Sequence, residues 1–138
     1  MSGGGVRRVA EIASYHAHIY FEPGGEEKER ALALREAIGE RFSVRLGTVW
    51  DRPVGPHSRA MYQVAFEPVL FGSLVPFLML NAGGLSVLIH PNTTNMRRDH
   101  LENRLWLGTP LDLRGEVLAE ENEAELAGEP NTTPAMEA

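Results

Sequence analysis

The chain of 138 residues contains no cysteine. Disulfides, thiolate metal sites and cysteine nucleophiles are therefore excluded, and any catalytic or metal-binding chemistry has to come from other side chains. A long hydrophobic run is also missing. The longest apolar stretch, residues 69–80, is interrupted by Gly72, Ser73 and Pro76 and is shorter than the ~20 apolar residues of a membrane-spanning helix. We therefore expect no membrane partner.

Positive charge is scattered instead of clustered. The net charge is −6, and the seven acids from Glu116 onward, which have no Lys or Arg among them, leave residues 1–115 at +1. A nearly neutral surface without a basic stripe offers no electrostatic attraction for nucleic acid, so we expect no nucleic-acid partner. The N-terminus has no apolar segment behind Arg7 and Arg8, and this pattern predicts a cytoplasmic protein without a secretory signal.

The length of the chain and its proportions of hydrophobic and charged residues predict one folded domain. Hydrophobic residues make up 43% of the chain and charged residues 23%, which is typical of a globular domain of this length. We place this domain at residues 13–115. The glycine-rich residues 1–12 are expected to form a flexible lead, and the acidic residues 116–138 a disordered tail, because both segments are poor in apolar side chains.

Hydrophobic periodicity alternates along the domain between period two and a helical spacing. It predicts strands at residues 15–21, 44–50, 61–66 and 85–90, and helices at residues 26–41 and 68–80. The order strand, helix, strand, strand, helix, strand is that of an α+β, ferredoxin-like (βαββαβ) antiparallel sheet with both helices on one face. Residues 99–108 are expected to fold back as a short helix or turn within a C-terminal extension. The open sheet face then requires a partner, this extension or a ligand to cover it.

Strand parity gathers most of the five histidines on that open face. Residues two apart in a strand share a face, so His16, His18 and Tyr20 point away from the predicted helices. The same alternation places His90 on the open face, and extending the third strand backwards adds His57 and Arg59. The first strand is central in a ferredoxin-like sheet, which brings His90 beside His16 and His18 and brings His57 toward Tyr20.

Three of these imidazoles are predicted to bind one transition metal. Opposed Cβ atoms on neighbouring strands are ~5 Å apart, a separation that imidazoles can span to a common ion. His16, His18 and His90 are the expected ligands, and imidazole suits Zn, Fe, Cu and Ni better than Mg or Ca. The alternative is that these residues are hydrogen-bonded structural histidines. His100 follows Asp99, which the pattern indicates as a helix cap, and on this interpretation His100 is solvated.

Four segments together resemble one known family. They are residues 15–21 (YHAHIYF), 52–57 (RPVGPH), 85–91 (LSVLIHP), and Asp99-His100 followed by residues 105–108 (LWLG). Their order and spacing, over residues 13–113, are similar to the motif series of the DOPA 4,5-dioxygenase family. The resemblance implies an aromatic ring-opening, extradiol dioxygenase that acts on catechols with O2 and a non-heme metal. It also implies a ferredoxin-like domain that forms a homodimer.

Roles can be assigned on this hypothesis. Fe(II) is the expected metal and Zn(II) an alternative in the isolated protein, held by His16, His18 and His90. His57 acts as general base and acid, and Tyr20 is the second catalytic residue, which orients the aromatic diol. Arg59 and His100 are the expected substrate contacts. An exchange of roles between His16 and His57 stays open, because no carboxylate ligand is evident. The competing hypothesis is a non-catalytic dimeric module with a structural zinc or no metal.

Overall fold

A computed structural model describes residues 5–137. The strands are β1 (Ser14–Phe21), β2 (Arg45–Leu46), β3 (Ala60–Phe66), β4 (Val87–Asn92) and β5 (Leu105–Leu107), and the helices are α1 (Glu26–Arg41), α2 (Phe71–Asn81) and α3 (Met96–Leu101). Short 3-10 turns occur at Val9–Glu11, Pro68–Leu70 and Gly115–Val117. The five strands form one antiparallel sheet in the order β2-β3-β1-β4-β5. Within residues 5–137, no helix has both the length and the apolar character needed to cross a bilayer.

The ferredoxin-like α+β fold predicted from the sequence is confirmed, with β1 at the centre between β3 and β4. Glutamates in the first turn of α1 and Arg41 in its last turn complement the helix dipole. Helices α1 and α2 pack on the same sheet face, where the alternate β1 residues Ala17, Ile19 and Phe21 are fully buried. Each large apolar side chain buried here contributes about 1.5–3 kcal/mol.

The edges of the sheet differ from the prediction. Strand β2 covers only Arg45–Leu46, because the register with β3 shifts by one residue before an isolated bridge from Trp50 to Met61, and this extra residue is a bulge. At the other edge, residues 105–107 form a strand that periodicity over three residues does not reveal. Strand β4 also continues through Pro91, which is possible because β5 pairs only as far as Ile89 and leaves that edge free.

The face opposite α1 and α2 is covered by the chain itself. A small apolar cluster of Tyr20, Met61 and Leu88 lies there, packed against partly buried side chains. Those side chains are Val54, Trp106, Leu111 and Leu113. Helix α3 also lies against β4 on this side, where the His100 ring approaches the His90 ring. The open face could be covered by a partner, by the C-terminal extension or by a ligand, and the structure shows the C-terminal extension.

Both terminal segments make contacts that composition does not predict. Residues 1–4 of the expected N-terminal lead lie outside the described residues, but Val9–Glu11 form a 3-10 turn and Ala13 donates to the carbonyl of Asn92. In the C-terminal segment, the Asn131 side chain pairs with both backbone groups of Leu46 at 2.8 and 2.9 Å. The Thr132 hydroxyl donates to the carbonyl of Phe42. An expected disordered tail thus has specific partners, because its amide and hydroxyl groups satisfy the free edge beside β2.

We expect Asn131→Ala to increase hydrogen exchange at the Leu46 amide by about 5-fold, because the hydrogen bond that this amide donates to the Asn131 side chain, worth roughly 1 kcal/mol, is lost. Amide exchange followed by NMR or mass spectrometry measures this rate. Thr133→Ala is the matched control, since within residues 5–137 no hydrogen bond of the Thr133 hydroxyl is found. Equal exchange at Leu46 in the two variants would instead support the disordered tail.

Candidate metal centre

All five histidines of the chain meet on the face opposite α1 and α2. His16 and His18 alternate with core residues along β1, and His16 is directly opposite His90 of β4. His57 comes from the loop before β3 and His100 from α3. Each of the five is at most 7% exposed. The predicted approach of His90 to His16 and His18, and of His57 to Tyr20, is therefore found, and His100 joins them.

The imidazoles are close enough for shared binding of an ion. The Nε2 atoms of His18 and His90 are 3.0 Å apart, and the ring centroids of His90 and His100 are separated by 3.9 Å. Two sets of three have ligand atoms within 4.8 Å of one another, and both contain His18. They are His16, His18 and His90, and His18, His57 and His100.

Backbone carbonyls fix the protonation of two rings. The Nδ1 of His90 lies 2.8 Å from the carbonyl oxygen of Pro91, and the Nδ1 of His100 lies 2.8 Å from that of Met96. A carbonyl only accepts, so each Nδ1 carries the proton and each Nε2 presents a lone pair. A histidine whose second nitrogen donates to a backbone carbonyl in this way is the usual form of a metal ligand.

The donor set fits a transition-metal ion. His16 Nε2 and His18 Nδ1 are buried, and neither has a hydrogen-bond partner within residues 5–137. A buried polar atom without a partner costs about 1–3 kcal/mol, and coordination to a cation would offset that cost. Neutral imidazole nitrogens are suitable ligands for Fe, Zn, Cu and Ni. The assignment of individual ligands stays a prediction.

Burial keeps the histidines neutral. It lowers the pKa of His16 to about 3 and that of His57 to about 4, with the neighbouring imidazoles acting in the same direction. Burial also lowers the pKa of His18 and His90 well below the ordinary value of 6.5. The pKa of His100 is lowered for the same reason, against a hydrogen bond to Met96. Neutral rings at physiological pH are the form that binds metal.

His57 and Tyr20 form a hydrogen-bonded pair. The Tyr20 oxygen lies 2.7 Å from the Nδ1 of His57, and burial raises the pKa of the Tyr20 phenol above its ordinary value of 10.0. The phenol is therefore neutral at physiological pH. When Nδ1 donates to the Tyr20 oxygen, the Nε2 of His57 has a free lone pair. This arrangement orients the His57 ring toward His18, whose ring centroid is 4.2 Å away.

The surroundings of Arg59 and His100 differ from the expectation. Arg59 pairs with the carboxylates of Glu22, which follows β1, and Glu27 of α1, so its charge is directed to these two acids, and its contact with substrate stays a prediction. His100 is buried instead of solvated, because Asn95 caps α3 while Asp99 turns inward to accept from Thr93. Its place among the other rings keeps it available as a substrate contact or a ligand.

One residue near the histidines was missed by sequence reasoning. The Glu125 Oε1 lies 3.7 Å from His16 Nε2. No local signal marked Glu125, because it is one of seven acids in a segment assigned to a disordered tail. The Glu125 carboxylate comes near the His16 ring only because the folded C-terminal segment passes beside the start of β1.

The sequence profile of the Dopa 4,5-dioxygenase family matches residues 15–117. The chain belongs to this family. The match includes β1, β4, α3 and the loop before β3, and therefore all five histidines. The resemblance predicted from the sequence motifs is thus confirmed, while Glu125 lies beyond the matched residues.

Two fungal relatives are similar to the chain over most of its length. A DOPA 4,5-dioxygenase from Amanita muscaria is 36% identical over 75% of the chain and 50% of the relative. An uncharacterised 21.2 kDa protein from Botryotinia fuckeliana is 37% identical over 79% of the chain and 63% of the relative. The chain thus spans half to about three-fifths of the length of these relatives.

A solved structure is similar in both sequence and fold. The crystal structure of a "putative dioxygenase" from Nostoc punctiforme has a TM-score of 0.78 and 46% identity, and the match covers 81% of this chain and 96% of the other. The fold of the Nostoc punctiforme protein is therefore shared over nearly its full length.

We expect the metal-free protein to lose stability as the pH falls from about 7 to 5. The unfolded chain binds protons at histidine near pH 6.5, whereas the folded rings of His16 and His57 stay neutral to about pH 3 and 4. Their contribution to stability is therefore present above pH 6.5 and lost below it. Each such ring lowers the free energy of unfolding by up to about 1.4 kcal/mol per pH unit.

Urea unfolding at pH 7, 6 and 5, in the presence of a chelator, measures this dependence. Carboxylates titrate mostly below this range, so histidines dominate it. His57→Gln removes one of the five buried imidazoles and is expected to reduce the slope. Stability that is independent of pH between 7 and 5 would contradict neutral, buried rings.

Proposed function

We propose that this protein is an extradiol-type dioxygenase that opens the ring of a catechol, such as DOPA, with O2. The observation that supports this most strongly is the set of five buried, neutral histidines in a chain that belongs to the Dopa 4,5-dioxygenase family. The Amanita muscaria relative is a DOPA 4,5-dioxygenase, which suggests the class of substrate. A family dioxygenase would act on an organic substrate together with O2.

His16, His18 and His90 are the proposed metal ligands. Their ligand atoms lie within 4.8 Å of one another, and the Pro91 carbonyl fixes the His90 ring with its Nε2 lone pair available. Fe(II) is the proposed metal, with Zn(II) as an alternative in the isolated protein. When bound, Fe(II) would supply the one-electron chemistry that a catechol and O2 need in order to react.

His57 is the proposed general base and acid, with Tyr20 as its positioning partner. In the tautomer in which Nδ1 donates to the Tyr20 oxygen, Nε2 would be free to take a proton from a catechol hydroxyl. Because the pKa of His57 is lowered to about 4, the ring is neutral and able to accept at pH 7. The same ring can return the proton during ring opening. His100, whose ring is 6.1 Å from that of His57, is the proposed substrate contact.

The reaction balances without a further reductant. One carbon–carbon bond of the ring breaks, and both atoms of O2 enter the product, which carries one new carboxylate and one new aldehyde or ketone. The catechol supplies all four electrons. Isotopic labelling with ¹⁸O2 would therefore place two labelled atoms in the ring-opened product.

The closed site requires movement of a covering segment. The five histidines are at most 7% exposed, so a catechol cannot contact them in this conformation. Leu111 and Leu113 pack over the same face, and His57 pairs with Leu113 through an isolated bridge. Displacement of residues 111–113 would expose His57 and Tyr20 together, which is the side from which substrate is proposed to enter.

The same closure favours a second candidate function, a non-catalytic module with a structural zinc. Structural zinc sites have four protein ligands and exclude water, as a set of fully buried imidazoles would. The two functions differ in one measurable property. Only the dioxygenase consumes O2 when a catechol is added to the metal-loaded protein.

We expect protein loaded anaerobically with Fe(II) to consume O2 on addition of L-DOPA and to develop the yellow colour of a ring-opened semialdehyde. His18→Ala should lower this rate by at least about 100-fold, because His18 belongs to both histidine sets. An oxygen electrode and absorbance measure the two signals. Metal content of each protein is measured in parallel.

Leu88→Val is the matched control, since Leu88 is buried on the same face and opposite His18 in the β1–β4 register. It should cost about 1 kcal/mol of stability and retain both metal and activity. Full activity in His18→Ala would contradict the ligand set. Metal binding without any catechol-dependent O2 uptake would favour the structural module.

Dimerisation stays a prediction from the family resemblance. Val69, Met79 and Leu80 expose 62–84% of their surfaces on the side of α2, and a second copy could cover them. We expect sedimentation equilibrium to give twice the mass of 15.2 kDa, and the mass of one chain would contradict the homodimer.

A further inference from the structure

A carboxylate from the C-terminal segment lies at the edge of the histidine cluster. Glu125 Oε1 is 3.7 Å from the Nε2 of His16, which is too long for a hydrogen bond. The His16 side chain is 7% exposed, and its Nε2 is buried without a hydrogen-bond partner within residues 5–137. An imidazole nitrogen without a hydrogen-bond partner therefore lies near a carboxylate oxygen, at a distance too long for a direct hydrogen bond between them.

The size of that gap matches a shared cation. Two ligand atoms that are each about 2.1 Å from one ion lie roughly 3.0–4.2 Å apart, depending on the angle between them. The separation of 3.7 Å between His16 and Glu125 falls inside this range. His16 also belongs to the three-histidine set whose ligand atoms lie within 4.8 Å of one another. Glu125 is not within that distance of the whole set, so its side chain, which is 48% exposed, would turn further inward to share the ion.

The Glu125 backbone is held in place by several contacts. The Ser14 hydroxyl, at the start of β1, donates to the Glu125 carbonyl. Three residues earlier, the Asn122 amide donates to the carbonyl of Thr94, and its side chain accepts from Met96 and donates to Thr93. The segment is thus bound on both sides of the β4–α3 connection. The Glu125 backbone is therefore held near His16, while its side chain, which is 48% exposed, is free to turn.

We propose that Glu125 is the carboxylate ligand of the metal centre and completes a set of two or three histidines and one carboxylate. This proposal rests on the proposed function, to which it adds a ligand from outside the residues matched by the family. Two histidines and a carboxylate with open positions are the ligand set of many non-heme Fe(II) oxygenases. Strands β1, β3 and β4 contain no Asp or Glu, and the Asp99 carboxylate of α3 already accepts from Thr93, so the C-terminal segment would supply the carboxylate.

Glu125→Gln tests the proposal, because it keeps the size of the side chain and removes its charge. We expect the affinity for Co(II), measured by competition with a chromophoric chelator, to fall by at least about 10-fold. The visible absorption bands of bound Co(II) should also change in position or intensity, since they respond to the ligands themselves. Glu125→Asp is expected to recover part of the affinity.

Glu121→Gln is the matched control, since it removes the same charge from the same segment, and within residues 5–137 no ion pair of Glu121 is found. Its Co(II) affinity and spectrum should equal those of the unmodified protein. Equal affinity and an identical spectrum in Glu125→Gln would overturn the proposal, as would an equal loss in both variants. A failure of the unmodified protein to bind any Co(II), Zn(II) or Fe(II) is a different result, which would overturn the proposed metal-dependent function itself.

Discussion

The two-residue alternation of β1 is the constraint on which the rest of the structure depends. One face of this strand carries Ala17 and Ile19 into the apolar core, and the other carries His16, His18 and Tyr20 into a polar cluster. Because β1 is central, both faces are buried and a slip of one residue would exchange them. Imidazoles would then enter the core without partners, at a cost of several kcal/mol. The core packing therefore fixes the register that builds the histidine cluster.

Burial of five imidazoles with few hydrogen bonds opposes folding. Among residues 5–137, His18 Nδ1 and His16 Nε2 have no hydrogen-bond partner, and the tilted rings of His90 and His100 approach to 3.9 Å between centroids. The stability that offsets this cost comes from the opposite sheet face, where the side chains of α1 and α2 are packed. The histidine face of the sheet can therefore be arranged for binding a ligand, because the face packed against α1 and α2 already stabilises the fold.

The sequence predicts the parts of the site that follow from local periodicity. Alternation in β1 and β4, together with the ferredoxin-like strand order, places His16, His18, His90 and His57 correctly. Contacts that depend on chain path are not predictable in this way. His100 points inward because Asn95 caps α3 in place of the expected Asp99, and Asp99 turns inward to accept from Thr93. Arg59 lies one residue before β3, where its guanidinium pairs with the carboxylates of Glu22 and Glu27.

Charge balance explains why a carboxylate belongs beside this cluster. Three neutral imidazoles around a divalent ion leave a charge of +2 in a region from which water is largely excluded, and burial of an uncompensated charge is costly. Burial lowers the pKa of each histidine, so the rings are neutral and bring no charge that would offset that of the ion. Glu125 halves the net charge of the ion and its ligands. Its side chain is 48% exposed, so the carboxylate keeps part of its hydration while it faces the buried His16.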